Sequence, residues 1–273
     1  MLKNLKSTLI INGIGFALLM FCLYGYQGAR VPSVKHASIA IDEKVLKERL
    51  SRCSNEELKK MLAAGEEIEE WDGILQKTGL SVIQKVLQGQ NIVLTMEHYP
   101  LNDTFDNKTY SQYYYHAHRE KEHGHFHLFL RQGGMEEGTL PLLWDKQLDD
   151  IQTFAHLVAI SMDDEGYPLT LFTVNRWVTG ESWYAPEDLK KMVDRFDVSH
   201  AHPSYVANRW LKAMLILFRP QIDDLIDERD QILMRWQRGI PLKDVLENRE
   251  LDVISEEKIS IEAQLKVIRD LLS

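Results

Sequence analysis

The chain of 273 residues is poor in cysteine, with only Cys22 and Cys53, and it has no CxxC motif. Two such thiols provide neither a disulfide framework nor a thiolate cluster, so any metal would need nitrogen and oxygen ligands. The chain also lacks a block of lysine and arginine, and its formal net charge is -9. This acidic balance argues against a nucleic-acid partner.

A long apolar run is found at the N-terminus. Lys3 and Lys6 precede an uncharged stretch, residues 7–29, which is long enough to span a bilayer as a helix of roughly 20 residues. The basic start also fits a secretory signal peptide, although no clear cleavage site follows. Residues 1–29 are therefore predicted to be a membrane anchor or a signal peptide, with the membrane as a partner and the rest outside the cytoplasm. If this segment is a wrongly assigned start, the protein would be cytoplasmic.

Hydrophobic periodicity divides the remaining chain. Residues 30–40 are predicted to be a linker, followed by a single α+β domain over residues 41–273. Apolar residues recur at helical spacing in residues 41–90 and 181–273, whereas the period is two in residues 91–180. Short connections between about five strands favour antiparallel pairing. The predicted fold is a central antiparallel sheet of about five strands with a histidine-rich hairpin, packed by N- and C-terminal helices.

The first strand is predicted in "NIVLTMEHYP", residues 91–100, and a turn-rich loop in "LNDTFDNKTYS", residues 101–111. Asp103, Asp106 and Asn107 of this loop are of the types that bind calcium. Turn formation explains Asp and Asn there equally well.

Half of the ten histidines lie in one stretch, "YYYHAHREKEHGHFHLFLR", which runs from Tyr113 to Arg131. They are His116, His118, His123, His125 and His127. Residues two apart on a strand point to the same face. With a four-residue turn at residues 119–122, antiparallel pairing places all five histidines on one face of a hairpin. The expected pairs are His118 with His123, His116 with His125, and Tyr114 with His127.

This histidine-rich face is predicted to bind a divalent metal ion such as zinc, iron or manganese. Paired Cβ atoms lie about 4.5–5.5 Å apart, so imidazoles from both strands can converge on one ion. Glu122, at the turn, could act as a ligand or a general base. Two alternatives remain open: the histidines are a polar or structural surface, or one of them is a nucleophile.

Two short patterns bear on these alternatives. "HGHFHLF" fits the His-x-His-x-His pattern of the histidine-triad nucleotide hydrolases, in which a histidine attacks a phosphate. However, no glycine-rich phosphate cradle is evident. "HAHREKE" resembles the His-x-His-x3-Glu core of the cupin metal motif, but it lacks the flanking glycines and the second cupin motif. It serves as a chemical analogy only.

A second group of residues could line a pocket next to the histidines. Arg176 could clamp an anionic group of an unknown small-molecule ligand, and the two tryptophans could stack on a ring. Aromatic packing at the end of a strand explains most of these residues equally well. For His156, a position in the hydrophobic core is the better explanation. The candidate pocket residues are Tyr114, His156, Asn175, Trp177, Glu181 and Trp183.

Long motifs from about residue 62 to the mid-220s resemble an uncharacterised bacterial family, a domain of unknown function. The motifs are "SQYYYHAHR", "EHGHFHLFLR", "HLVAISMD", "LFTVNRWVTGESWY" and "LFRPQI". The resemblance covers more than half of the chain but implies no activity. The leading hypothesis is a metal-dependent hydrolase or oxygenase with Glu122 and Arg176 as catalytic residues. The alternatives are a non-catalytic metal-binding or sensing module tethered to the membrane, and a structural protein without metal.

Overall fold

A six-stranded antiparallel sheet forms the centre of the computed structural model, which describes residues 40–88, 94–143 and 153–273. The strands follow one another in chain order across the sheet. They are β1 (Tyr99–Phe105), β2 (Ser111–His116), β3 (Gly124–Arg131), β4 (Phe154–Met162), β5 (Pro168–Val174) and β6 (Val253–Lys258). The predicted α+β class with a central antiparallel sheet is confirmed, with six strands instead of about five.

Nine helices occur in the residues that the structure describes, and contacts group these residues into the compact unit Ile39–Ser273. They are α1 (Glu43–Leu50), α2 (Asn55–Gln76), α3 (Val82–Leu87), α4 (Arg176–Thr179), α5 (Pro186–Arg195), α6 (Tyr205–Leu217), α7 (Arg219–Gln237), α8 (Leu242–Leu246) and α9 (Ile261–Leu272). Within the described ranges, no helix has the length and apolar character needed to cross a membrane. The predicted anchor or signal, residues 1–29, lies outside those ranges.

The two faces of the sheet have different chemistry because side chains alternate along each strand. On β2, Tyr113 and Tyr115 are fully buried in the main hydrophobic core, where they meet Phe126 and Leu128 of β3 and apolar side chains of the helices. The residues between them on β2 and β3 point to the opposite face, which carries the histidines. The main hydrophobic core with the long helices therefore lies on one face of the sheet, and the histidine cluster lies on the other, where Val178 of the short α4 packs beside Phe172.

Two strands differ from the sequence prediction. Among the described residues, β1 shares residues 99–100 with the strand predicted in residues 91–100, and it continues through residues 101–105 of the predicted loop. Asn102 and Asp103 adopt left-handed φ angles of 69° and 59° and form an irregularity in the pairing of β1 with β2. Turn-forming residues therefore lie inside a strand, as is usual at a β-bulge. Strand β6 lies in the region predicted to be helical, where only long-range pairing with β5 defines it.

The carboxylate of Asp106 forms the hydrogen bonds of a turn. It accepts hydrogen bonds from the backbone N–H groups of Lys108 (2.7 Å) and Ser199 (2.6 Å), and from the Ser199 hydroxyl (2.7 Å). Burial alone would raise the pKa of Asp106, but these hydrogen bonds lower it to about 2. The side chain joins the β1–β2 connection to the segment before α6.

We expect Asp106→Asn to destabilise the protein by about 2 kcal/mol at neutral pH, since the variant loses a carboxylate that is hydrogen-bonded in the native state. Because the pKa of Asp106 is lower in the folded state, the carboxylate stabilises the protein at pH values above the unfolded pKa of 3.8. This stabilisation is lost as the pH falls towards about 2. The difference between the two proteins in urea unfolding should therefore shrink below about pH 4. Asn107→Ala, at an exposed neighbour, is the control. A constant difference over this pH range would contradict the assignment.

Candidate metal centre

The hairpin of β2 and β3 brings histidines from two strands together. His116 pairs with His125, and Tyr114 pairs with His127, which confirms the predicted register. Strand β2 ends at His116 and β3 begins at Gly124, so the connection covers residues 117–123 instead of residues 119–122. The longer connection decides where the remaining two histidines lie.

Three imidazoles form a group that could hold a metal ion. One ring nitrogen of each of His116, His125 and His127 lies within 4.8 Å of the other two. The Nε2 atoms of His116 and His125 are 2.7 Å apart. The three side chains are 5%, 1% and 1% exposed. We call these three residues the histidine triad.

Burial favours the neutral form of the histidine triad. Loss of solvation lowers the pKa of His116 to about 2, with a further contribution from the neighbouring imidazoles. The same two causes hold the pKa of His127 well below its ordinary value. Burial also lowers the pKa of His125, although the nearby Glu122 carboxylate opposes this. Neutral imidazoles have a free nitrogen lone pair, which is what a metal ion requires.

Glu122 orients His125. Its carboxylate contacts Nδ1 of His125 through one oxygen and accepts a hydrogen bond from the Ser161 hydroxyl (2.5 Å) through the other. Because an ionised carboxylate only accepts hydrogen bonds, Nδ1 of His125 carries the proton and Nε2 has the lone pair. A carboxylate on the far nitrogen is the usual arrangement for a histidine that binds a metal. The structure thus places Glu122 behind His125, not among the three nitrogens.

His127 has a similar partner on β4. Its Nδ1 lies 2.9 Å from Nε2 of His156, and the backbone N–H of His156 donates to Glu181 (2.6 Å). Burial raises the pKa of Glu181 to about 8 and lowers that of His156 to about 3. Nε2 of His127 is buried and has no hydrogen-bond partner. Of the candidate pocket residues, His156 therefore supports His127 from behind, and Glu181 binds the backbone of β4 at His156.

His118 and His123 lie outside the histidine triad. The exposed ring of His118 meets the rings of His116 and His125 edge-on, at centroid distances of 4.8 and 5.0 Å. His123 instead turns to the other face, where its Nδ1 lies 2.6 Å from the hydroxyl of Tyr115. The five histidines therefore do not share one face, because the longer connection rotates His123 away before β3 begins.

The remaining candidate pocket residues have partners that explain their packing. Arg176 forms an ion pair with Glu247, so its assignment as a substrate clamp stays a prediction. The other partners are the Leu251 carbonyl for the Trp177 indole N–H (2.8 Å), the Val245 carbonyl for the Asn175 amide (3.0 Å), and the Arg229 guanidinium above the Trp183 ring (4.0 Å).

Sequence reasoning missed His98, a neighbour of the histidine triad. Its ring stacks on Tyr114 with a centroid distance of 3.6 Å, and it meets the ring of His116 edge-on at 5.5 Å. Its Nδ1 lies 2.9 Å from Oδ1 of Asp103. No local pattern signals this arrangement, because the β-bulge of β1 directs Asp103 towards His98. Ser161 was also missed, since its contact with Glu122 crosses from β4 to the hairpin connection.

A family model described as "Domain of unknown function (DUF6969)" matches residues 62–259. The match contains the histidine triad and its supporting residues, and it confirms the resemblance to an uncharacterised family. No curated protein and no solved structure matches the chain. The chemistry must therefore be argued from the residues themselves.

Proposed function

The chain belongs to the DUF6969 family of unknown function, and we propose that it binds one divalent metal ion through His116, His125 and His127. The observation that carries this proposal is the buried Nε2 atom of His127, which has no hydrogen-bond partner although two other imidazoles lie beside it. An unsatisfied buried polar atom costs about 1–3 kcal/mol. A bound ion would satisfy this nitrogen and explain the cost.

The donor set fits a transition metal. A tetrahedral ion with metal–nitrogen distances of about 2.0–2.1 Å separates its ligand nitrogens by roughly 3.4 Å. The Nε2 atoms of His116 and His125 are closer, at 2.7 Å, so the two rings would move apart by a fraction of an ångström. Three imidazoles suit zinc or iron better than manganese, which prefers oxygen ligands.

Three protein ligands leave a coordination position open, as in catalytic zinc sites. In such a site the ion activates water or binds a substrate oxygen, so hydrolysis and oxygen chemistry are the reactions we propose. The exposed His118 contacts the rings of His116 and His125, so it marks the side from which a small molecule would reach the ion.

A second candidate, a non-catalytic metal-binding or sensing module, is favoured by the depth of the histidine triad. Each of its side chains is at most 5% exposed. A groove of about 870 Å³ in the described part of the chain is lined by residues of α2, α5, α6 and α7, not by the histidine face. Substrate pockets are usually concave sites next to the reacting group. A buried ion without such a pocket would bind without catalysing.

The metal content of the full chain, purified without a histidine tag, tests the proposal. Mass spectrometry should find close to one zinc or iron ion per chain, either as purified or after reconstitution. The metal found would narrow the chemistry, because zinc supports hydrolysis and iron also supports oxygen chemistry. Failure of the folded protein to take up any transition metal would rule out the proposed site.

A further inference from the structure

The three ligands of the proposed site are not equally supported. Nδ1 of His125 has the carboxylate of Glu122, and Nδ1 of His127 has His156. Nδ1 of His116, in contrast, is buried and has no hydrogen-bond partner. Since ligating histidines almost always donate their second ring N–H to a partner, the arrangement at His116 is incomplete.

Metal binding would increase the need for a hydrogen-bond partner at Nδ1 of His116. Without metal, Nε2 of His125 has a lone pair and lies 2.7 Å from Nε2 of His116, so Nε2 of a neutral His116 carries the proton. When both Nε2 atoms bind an ion, the single proton of the neutral His116 ring must lie on Nδ1. A buried N–H group then requires an acceptor.

His98 is suited to be that acceptor. Its Nδ1 donates to Asp103 (2.9 Å), so Nε2 of the neutral ring has a free lone pair. The second oxygen of Asp103 accepts from the Gln112 amide (2.6 Å), and the ring lies flat against Tyr114 at 3.6 Å. These contacts hold the imidazole beside the histidine triad.

The rings of His98 and His116 are neighbours, at a centroid distance not far above that of a hydrogen-bonded histidine pair in the same cluster. His127 and His156 are hydrogen-bonded at 2.9 Å, and their ring centroids are 4.9 Å apart. The centroids of His98 and His116 are 5.5 Å apart, a difference of 5.5 − 4.9 = 0.6 Å. The separation of His116 from His125 that an ion requires is of similar size. In the metal-bound state, a rotation of one ring would have to bring Nε2 of His98 to Nδ1 of His116.

We infer that His98, oriented by Asp103, is a positioning residue that accepts a hydrogen bond from the Nδ1–H group of His116 and thereby sets the metal affinity of the site. This inference rests on the proposed metal binding. His98 would not bind the ion itself, because its nitrogens are not part of the group within 4.8 Å. His118 is less suitable, because no hydrogen bond to a described residue holds its exposed ring.

The test compares zinc affinity in four forms of the full chain: the original protein, His98→Ala, His98→Gln and His202→Ala. Removal of a partner behind a ligand costs tenfold to a hundredfold in metal affinity, so we expect a loss of that size in His98→Ala. His98→Gln should recover part of the affinity, since its amide oxygen can accept a hydrogen bond from Nδ1–H of His116. The exposed His202 provides the matched control, which should leave the affinity unchanged.

Cobalt substitution gives a readout that a purely structural role would not change. The visible spectrum of bound cobalt reports ligand geometry, so it should shift in His98→Ala and return towards the original in His98→Gln. Asp103→Asn should give a smaller shift in the same direction, because an amide oxygen can still accept the hydrogen bond from Nδ1 of His98. Asparagine also tolerates the φ of 59° at this position. Thermal unfolding of the metal-free forms shows whether each variant folds.

The outcomes separate this inference from the proposed function. If the original protein binds zinc and His98→Ala, correctly folded, binds it with unchanged affinity, His98 has no positioning role although the metal site stands. If the glutamine variant binds zinc no better than the alanine variant, acceptance of a hydrogen bond from His116 is excluded as the cause. If the original protein binds no metal, the proposed function and the inference fail together.

Discussion

Replacing His125 by alanine should lower the metal affinity by roughly two to three orders of magnitude. A structural zinc site with four ligands releases about 10–16 kcal/mol, so the share of one ligand is about 2.5–4 kcal/mol. Each 1.4 kcal/mol is a factor of ten. His125 is central to the histidine triad because its Nε2 faces His116 and its Nδ1 is held by Glu122. We therefore expect this variant to be purified without metal.

Zinc-dependent stability provides a second measurement for this prediction. An ion that binds only the folded state stabilises it by about 2.7 kcal/mol at a free concentration a hundred times the dissociation constant. Added zinc should raise the melting temperature of the original protein and leave that of His125→Ala unchanged.

Glu122→Gln is the variant to compare with His125→Ala. It keeps the size of the Glu122 side chain and removes the negative charge that holds Nδ1 of His125. Its expected loss of affinity is smaller, about tenfold to a hundredfold. His202→Ala again serves as the unaffected control. Retention of full affinity by a folded His125→Ala would exclude His125 as a ligand.

Gly124→Ala should destabilise the protein by roughly 1–3 kcal/mol or more, the range for overpacking a tightly packed site. A Cβ atom here would lie 2.6 Å from the carbonyl oxygen of His116 and 2.6 Å from the hydroxyl of Tyr115. The first contact is with the backbone of the paired strand, which cannot rotate away. The strands that carry His116 and His125 would have to separate.

The same added methyl group should have the opposite effect at Gly73, inside α2. A Cβ atom there meets nothing within 4 Å, and alanine is favoured over glycine in a helix by about 0.5–1 kcal/mol. Urea unfolding of the two variants compares the same change of size at a closed and an open position. Equal changes in the free energy of unfolding would contradict the close approach at Gly124.

Zinc titration provides a further comparison of the two variants. Binding should be weaker in Gly124→Ala and unchanged in Gly73→Ala.

The histidine hairpin could be predicted because its information is local. Alternation with a period of two defines β2 and β3, and antiparallel pairing across a short connection places His116 opposite His125. The length of that connection was not predictable from periodicity. Residues 117–123 are mostly polar, so they carry no signal for where pairing stops, and His123 was consequently placed on the wrong face.

The supporting residues could not be predicted, because their contacts join distant parts of the chain. Ser161 reaches Glu122 from β4, and His98 approaches His116 from the segment before β1. The bulge at Asn102 and Asp103 is a second example. Asparagine and aspartate favour turns in isolation, yet pairing with β2 keeps them within a strand.

The sequence by itself determined the α+β class, the antiparallel order of the hairpin and the concentration of imidazoles, since alternation and strand pairing act over short distances. Only the tertiary structure decided which imidazoles meet. His116, His125 and His127 were selected by the face of the sheet and by burial, while His118 remained at the surface and His123 turned to the opposite face. The physical reason is that these side chains become buried only when distant strands and loops pack together. Burial in turn favours neutral imidazoles, which have the lone pair that a metal ion needs.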